Sequence, residues 1–385
     1  MVGIKASTNM ESRYLFPISP QRILILFCSL LLMLLAGCEK EDPVPYIYAP
    51  PPQLGDGWNV STLEEVGIQT SKIEEITKNI IREGYKGIHS LLIVRDGSLV
   101  FEEHFKGYDR NDLQEIFSIT KSISASLVGI AIEQDLIRGT EESVLSYFPE
   151  YKIDHPNAQQ LQIGHILSLT TGIGWDEKTY LYTDPRNSEY QMFQTEDWFR
   201  FVLQLPYSHQ PGETYNYNTG AVHLLSAIIK KSTGQYADEF AETYLFKPLG
   251  ITESHWNTDR QGYPCTGATH GGLRMKARDI AKYGQLYLDD GRWKNNQIIP
   301  EEWIRRSLEP KVDADEDLDH GFLWRIGTYN IESDQVEYFL STGSGGQTLI
   351  LIPAFDMVIL FLCWDNVDEG DTLIPTILIL DAIIQ

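Results

Sequence analysis

The sequence predicts a mixed α/β fold in which strands from both chain ends build one antiparallel sheet around an inserted block of helices. Three observations carry this reading. A hairpin signal occupies residues 88–106, helical periodicity dominates from about 118 to 310, and strand signals return over about 320–365. With 42% hydrophobic and 22% charged residues, a chain of 385 residues can form a sizeable core, as one large domain or two intimate ones.

The elements follow in order. Residues 23–35 are apolar apart from Cys28 and Ser29, and Lys5, Arg13 and Arg22 precede them. Positive charge before a short apolar run is the pattern of an export signal. The run has thirteen residues, too few to span a bilayer comfortably as a helix, which takes about 20. It ends in Leu35-Ala36-Gly37-Cys38, which resembles the lipobox of bacterial lipoproteins. Residues 1–37 are then expected to be removed and Cys38 lipidated, placing the protein in the cell envelope; a cleaved signal with a chance cysteine is the alternative. Residues 38–57 are acidic and then rich in proline, and read as a tether, so the folded domain is expected over 58–385.

Within that domain, residues 71–84 alternate at helical spacing. The hairpin places Leu91–Val94 and Leu99, Val100 and Phe101 on either side of an Asp96-Gly97 turn. After the helical block, strands are expected over 322–327, 337–341, 348–352 and 357–364. The final apolar run, 373–384, reads as a packed helix too short to cross a membrane.

A net charge of −23 repels phosphate backbones and anionic lipid, so nucleic acid is excluded as a partner and membrane contact is expected through the anchor alone. Removing residues 1–37 takes away three basic residues and one acidic residue, leaving the surface more negative still. Beyond Cys38 only Cys265 and Cys363 remain, too few for a disulfide scaffold. The nine histidines show no metal-ligand spacing, and neither a metal nor a cofactor is expected.

Three segments carry the chemistry. Ser118-Ile119-Thr120-Lys121 is the only Ser-x-x-Lys in the chain, and it heads a run that is apolar on most helical faces. At i and i+3 the hydroxyl and the amine share one face of the first turn. Burial favours the neutral amine, which can take the serine proton. Taken alone, the segment fits an ordinary helix start with a surface lysine equally well. The second segment is Tyr215-Asn216-Tyr217-Asn218-Thr219, a turn before a helix. Tyr217 is either a packing residue or a proton relay beside the lysine. The third, Ser341-Thr342-Gly343-Ser344-Gly345-Gly346-Gln347, lies between two strands, where glycines admit a close backbone approach.

Together these segments resemble the class C β-lactamase and penicillin-binding-protein superfamily of serine hydrolases. The stretches IGHILSLTTGIG (163–174) and GGLRMKARD (271–279) resemble that family too, and the likeness runs over about 57–385. It implies a β-lactamase/transpeptidase-like fold, with Ser118 as nucleophile, Lys121 as base and Tyr217 as proton shuttle. The amides of Ser118 and Ser344 would form the oxyanion hole. Thr219, Ser341, Thr342 and Gly343 would contact the substrate, with Trp175, Tyr215 and His270 as further pocket candidates.

Two departures matter. Thr219 stands where class C enzymes carry Asn, and Ser341 where they carry the cation that meets a substrate carboxylate. These point toward the esterase and amide-hydrolase branches, including 6-aminohexanoate-dimer hydrolases, rather than a dedicated β-lactamase or DD-peptidase. The expected activity is acyl-enzyme hydrolysis of a small ester, amide or peptide. A non-catalytic lipoprotein that binds cell-wall peptides or a protein partner is the alternative. An intact Ser118, Lys121 and Tyr217 weighs against it.

Overall fold

Strands rich in β-branched and aliphatic residues dominate the two chain ends, and they pair with each other. The computed structural model describes residues 45–315, 318–331, 334–364 and 369–383. The export signal and Cys38 lie outside the described residues. The chain from Tyr46 onward forms one compact unit.

The first elements are β1 (Asn59–Val60), α1 (Thr70–Ile81), β2 (Ile88–Arg95), β3 (Ser98–His104) and β4 (Gln114–Glu115). The lobe then runs through α2 (Ile119–Glu133), α3 (Ile163–Leu167), α4 (Ser188–Phe193), α5 (Trp198–Gln204), α6 (Thr219–Thr233) and α7 (Ala237–Ala241). It continues with β5 (His255–Trp256), β6 (Leu273–Met275), α8 (Ala277–Leu288), β7 (Arg292–Trp293), β8 (Asn296–Gln297) and α9 (Glu301–Ser307). The closing elements are β9 (Val312–Asp315), β10 (Leu318–His320), β11 (Arg325–Ile331), β12 (Asp334–Gly343), β13 (Gln347–Ile352), β14 (Met357–Cys363) and α10 (Glu369–Leu380).

Among the described residues nine strands form the main sheet, in the order β1-β3-β2-β14-β13-β12-β11-β10-β9. The join between the chain ends is β2 against β14, antiparallel, with Ile93 opposite Ile359. Period-two alternation sorts their side chains into two cores. Leu92, Val94, Val358, Leu360 and Leu362 face the helical lobe. Leu91, Ile93, Phe101, Ile359 and Phe361 face the other side, with Ile73, Ile76 and Ile80 of α1 and Ile379 of α10. Because both faces are covered, β2 and β14 read as continuous apolar runs rather than alternating ones. Each such side chain contributes about 1.5–3 kcal/mol on burial. The hairpin turn sits at Asp96 and Gly97, both with positive φ, 50° and 66°.

The sheet and the inserted lobe are as expected, with four differences. One pair, β1 with β3, is parallel, so the sheet is antiparallel except at that edge. The sheet's C-terminal half begins at Val312, before the expected 320, and residues 322–324 do not pair. The Phe322 and Leu323 amides instead donate to Ser307 and Leu167 carbonyls of the lobe, which explains their apolarity without a strand. Within the lobe, β4, β6 and β5 form a small sheet and β7 pairs with β8, in a stretch whose periodicity looked helical. Finally, the expected tether is shortened. Tyr48 stacks on Phe101 and its hydroxyl donates to the Val100 carbonyl, while Arg278 binds the Pro52 carbonyl and Asp56. Residues 46–57 therefore belong to the folded unit.

Among the described residues no helix is long and apolar enough to cross a membrane.

Candidate active site

The backbone presents Ser118 through strain. Phe117 has φ 45°, a left-handed value that costs a non-glycine residue energy and that the surrounding packing must enforce. Ser118 follows at the N-cap of α2, whose residues from Ile119 to Ala131 are all buried. Lys121 is 3% exposed, and its Nζ donates to Ser118 Oγ at 2.9 Å and to the Gly267 carbonyl at 2.7 Å. Burial pulls its pKa down to about 8, against the opposing pull of Glu177 and Glu189. Burial therefore favours the neutral amine, the form able to accept a proton.

Gly267 can reach Lys121 because it has no side chain. A Cβ there would lie 2.2 Å from the Thr219 carbonyl. The loop around it is held in left-handed geometry at Ala268 and His270 as well as at Gly271 and Gly272.

Tyr217 precedes α6, whose first turn is capped by Asn218 accepting from the Ala221 amide at 2.7 Å. The Tyr217 hydroxyl donates to Ser118 Oγ at 2.7 Å, and Lys121 Nζ lies 4.8 Å from the centre of its ring. Burial raises the phenol above its ordinary range, and the Glu177 charge raises it further. Tyr217 thus holds its proton at neutral pH and is ready to donate it. Ser118 Oγ sits between an amine and a phenol, each at hydrogen-bond distance, which is an arrangement for moving a proton off the serine and onto a leaving group.

The end of β12 closes the site. A Cβ at Gly343 would lie 2.5 Å from the Ile116 carbonyl, so only glycine lets this strand approach the segment carrying Ser118. Gln347 fixes the following turn, donating to the Cys363 carbonyl at 2.6 Å and accepting from the Cys363 amide at 3.0 Å. The resulting cleft, about 270 Å³, is lined by Ser118 and Tyr217 and by Thr342, Gly343 and Ser344. All five come from the three segments singled out in the sequence.

The other expected pocket residues lie elsewhere. Ser341 is buried, and its hydroxyl pairs with that of Ser122 at 3.1 Å, beneath the cleft floor. Trp175 is buried against α6, and its Nε1 donates to Glu177 at 2.5 Å. Thr219 is buried and bound to the same carboxylate. Tyr215 packs on His320, with ring centres 5.3 Å apart. His270 is exposed and stacks on Phe193 at 4.3 Å.

In their place the cleft wall carries residues that no motif marked: Lys178, Tyr182 and Arg325. Lys178 Nζ lies 4.8 Å from the Tyr217 ring centre, on a chain whose net charge is −23. Arg325 starts β11 and faces the same cleft; its only sequence signal is a cation at the head of an otherwise uncharged strand.

Among the described residues no group of three or more His, Cys, Asp or Glu is placed to hold a metal ion.

The chain is 24% identical over 301 residues to the 6-aminohexanoate-dimer hydrolase of Paenarthrobacter ureafaciens, covering 72% of this chain and 73% of that protein. In structure it is similar to EstCE1, a hydrolase with promiscuous acyltransferase activity, with a TM-score of 0.66 at 15% identity over 82% of this chain and 98% of that one. It is also similar to the octameric penicillin-binding protein homologue from Pyrococcus abyssi, with a TM-score of 0.62 at 19% identity over 81% and 77% of the two chains. The beta-lactamase family model matches residues 78–382, a span that holds the Ser118, Lys121 and Tyr217 constellation and both halves of the sheet, and the chain belongs to that family.

Proposed function

We propose that this protein is a serine hydrolase that cleaves a small ester or amide through an acyl-enzyme at Ser118. The single observation behind the reading is the contact of Ser118 Oγ with both Lys121 Nζ, at 2.9 Å, and the Tyr217 hydroxyl, at 2.7 Å. In the neutral-amine form Lys121 takes the Ser118 proton as Oγ attacks the carbonyl carbon. The oxygen that gains charge is met by the amides of Ser118 and Ser344 and by the N-terminal end of α2. Tyr217 passes its proton to the departing alcohol or amine and is refilled from Lys121. Water then repeats the sequence on the acyl ester and frees Ser118.

The cleft volume suits a short acyl group. Lys178 and Arg325 favour substrates carrying a negative charge, so the positive charge missing at Ser341 is supplied from other elements. A lipid on Cys38 would hold this hydrolase at a membrane of the cell envelope.

The test is covalent labelling. A fluorophosphonate should place one adduct on the peptide containing Ser118, and Ser118→Ala should lose both label and p-nitrophenyl ester turnover. An adduct on another serine, with Ser118→Ala still active, would sink the assignment.

A further inference from the structure

Behind Tyr217, outside the cleft lining, a carboxylate is buried that the acylation steps do not use. Glu177 is 3% exposed. Its Oε2 accepts from Trp175 Nε1 at 2.5 Å and from the Thr219 amide at 2.9 Å, and its Oε1 accepts from the Thr219 hydroxyl at 2.8 Å. Burying a carboxylate is unfavourable by several kcal/mol unless such donors surround it. The donors come from the first residue of α6 and from the segment before Glu177 itself, so the carboxylate ties two distant parts of the lobe together. Asn187 braces the same corner. Its Nδ2 donates to the Glu177 carbonyl at 3.2 Å, and its Oδ1 accepts from the Glu189 amide at 2.9 Å.

We propose that Glu177 is the positioning residue of this active site: it fixes the start of α6, and so Tyr217, against Ser118, and it is the fixed counter-charge to the ammonium that forms on Lys121.

The second role follows from the chemistry of the base. When Ser118 loses its proton, Lys121 becomes an ammonium in a site almost closed to water. A nearby fixed negative charge stabilises that ammonium and leaves the uncharged ground state nearly untouched, which is how a group outside the reacting atoms lowers a barrier. Lys121, Tyr217, Glu189 and Tyr182 lie within electrostatic reach of Glu177, and Lys178 and Arg325 line the cleft onto which Tyr217 opens. Burial and the Glu177 charge both raise the pKa of Glu189, so Glu189 holds a proton more readily than an exposed glutamate. The inference rests on Ser118 and Lys121 acting as proposed above.

Glu177→Gln separates charge from position. The amide oxygen in the Oε2 place still accepts from Trp175 and the Thr219 amide, and the amide NH2 in the Oε1 place donates to the Thr219 hydroxyl. With the geometry kept and the charge removed, Lys121 becomes a weaker base. The acidic limb of the kcat/KM profile should move to lower pH by at least about half a unit, and the plateau kcat should fall about ten-fold, with KM within about two-fold of wild type. Glu177→Asp keeps the charge but cannot reach both Thr219 groups. It should keep the limb in place and lose kcat, and it serves as well if the glutamine variant folds poorly. A glutamine variant with wild-type limb and plateau, or an aspartate variant whose limb moves as far as that of the glutamine variant, overturns the proposal. Ser118→Ala is run beside them. Residual turnover there would mean that the serine-hydrolase reading has failed, whereas an inactive Ser118→Ala with an unchanged Glu177→Gln removes the Glu177 role alone.

Discussion

At the scale of single residues, the cleft is a local inversion of the molecule's charge. A chain of net −23 lines it with Lys178 and Arg325 and, among the described residues, no carboxylate. Ser341, where related enzymes carry their cation, turns its hydroxyl to Ser122 instead. A guanidinium can form a charge-assisted hydrogen bond with a substrate carboxylate, worth on the order of 1.5–3 kcal/mol when well sheltered. The cleft is open to solvent, so the lower end of that range applies, about ten-fold in rate. Arg325→Gln should therefore lower kcat/KM about ten-fold for a p-nitrophenyl hemisuccinate and leave p-nitrophenyl acetate within about two-fold. Equal losses on both esters would mean that Arg325 shapes the cleft and does not read charge.

At the scale of elements, α2 is a central helix buried on all sides, and its fit is set by one glycine. A Cβ at Gly129 would lie 2.3 Å from the ring of Trp303 on α9, which is itself 3% exposed. Alanine is the better helix former by about 1 kcal/mol. Overpacking a rigid indole costs about 1–3 kcal/mol and more where the ring has nowhere to move. Overpacking should win: Gly129→Ala should lower Tm by several degrees in a thermal melt, while kcat per folded molecule stays unchanged because Ser118 lies at the other end of the helix. A variant as stable as wild type would show that α9 can shift away.

The same helix shows why part of the site was legible in the sequence. Ser118, Lys121 and the apolar residues after them are local in sequence, and a lysine at the head of a buried helix needs a partner. The paired runs at the chain ends were long enough for their apolarity to mark strands. Glu177 had no such signal. Its meaning depends on Thr219, 42 residues away, and a lone acid in a loop reads as solvated. Short strands such as β4 and β5, with two residues each, are too brief to show a period, and they form because β6 lies between them. Trp175 and Thr219, read from the sequence as substrate contacts, both bind the Glu177 carboxylate.

At the scale of the whole molecule, the question is where the folded unit begins. The described chain is seated from Tyr46, whose hydroxyl donates to Glu103 at 2.7 Å. Asp56 then meets Arg278 at 2.9 Å, and Arg278 also forms a 2.6 Å pair with Glu102, whose side chain is wholly buried. That network holds the Glu102 carboxyl down to about 2, with His104 and Arg278 overcoming the effect of burial. Removing residues 46–57 would strip Arg278 of the Asp56 and Pro52 contacts and uncover Phe101 beneath Tyr48. Two chains test that boundary. One beginning at Glu39 should be released from membranes, with the Tm and ester kcat/KM of the Cys38→Ala protein. One beginning at Trp58 should melt several degrees lower or fail to accumulate, since it loses a buried stack and two partners of a buried arginine, a loss of a few kcal/mol. Equal melting temperatures for the two chains would return residues 46–57 to the tether.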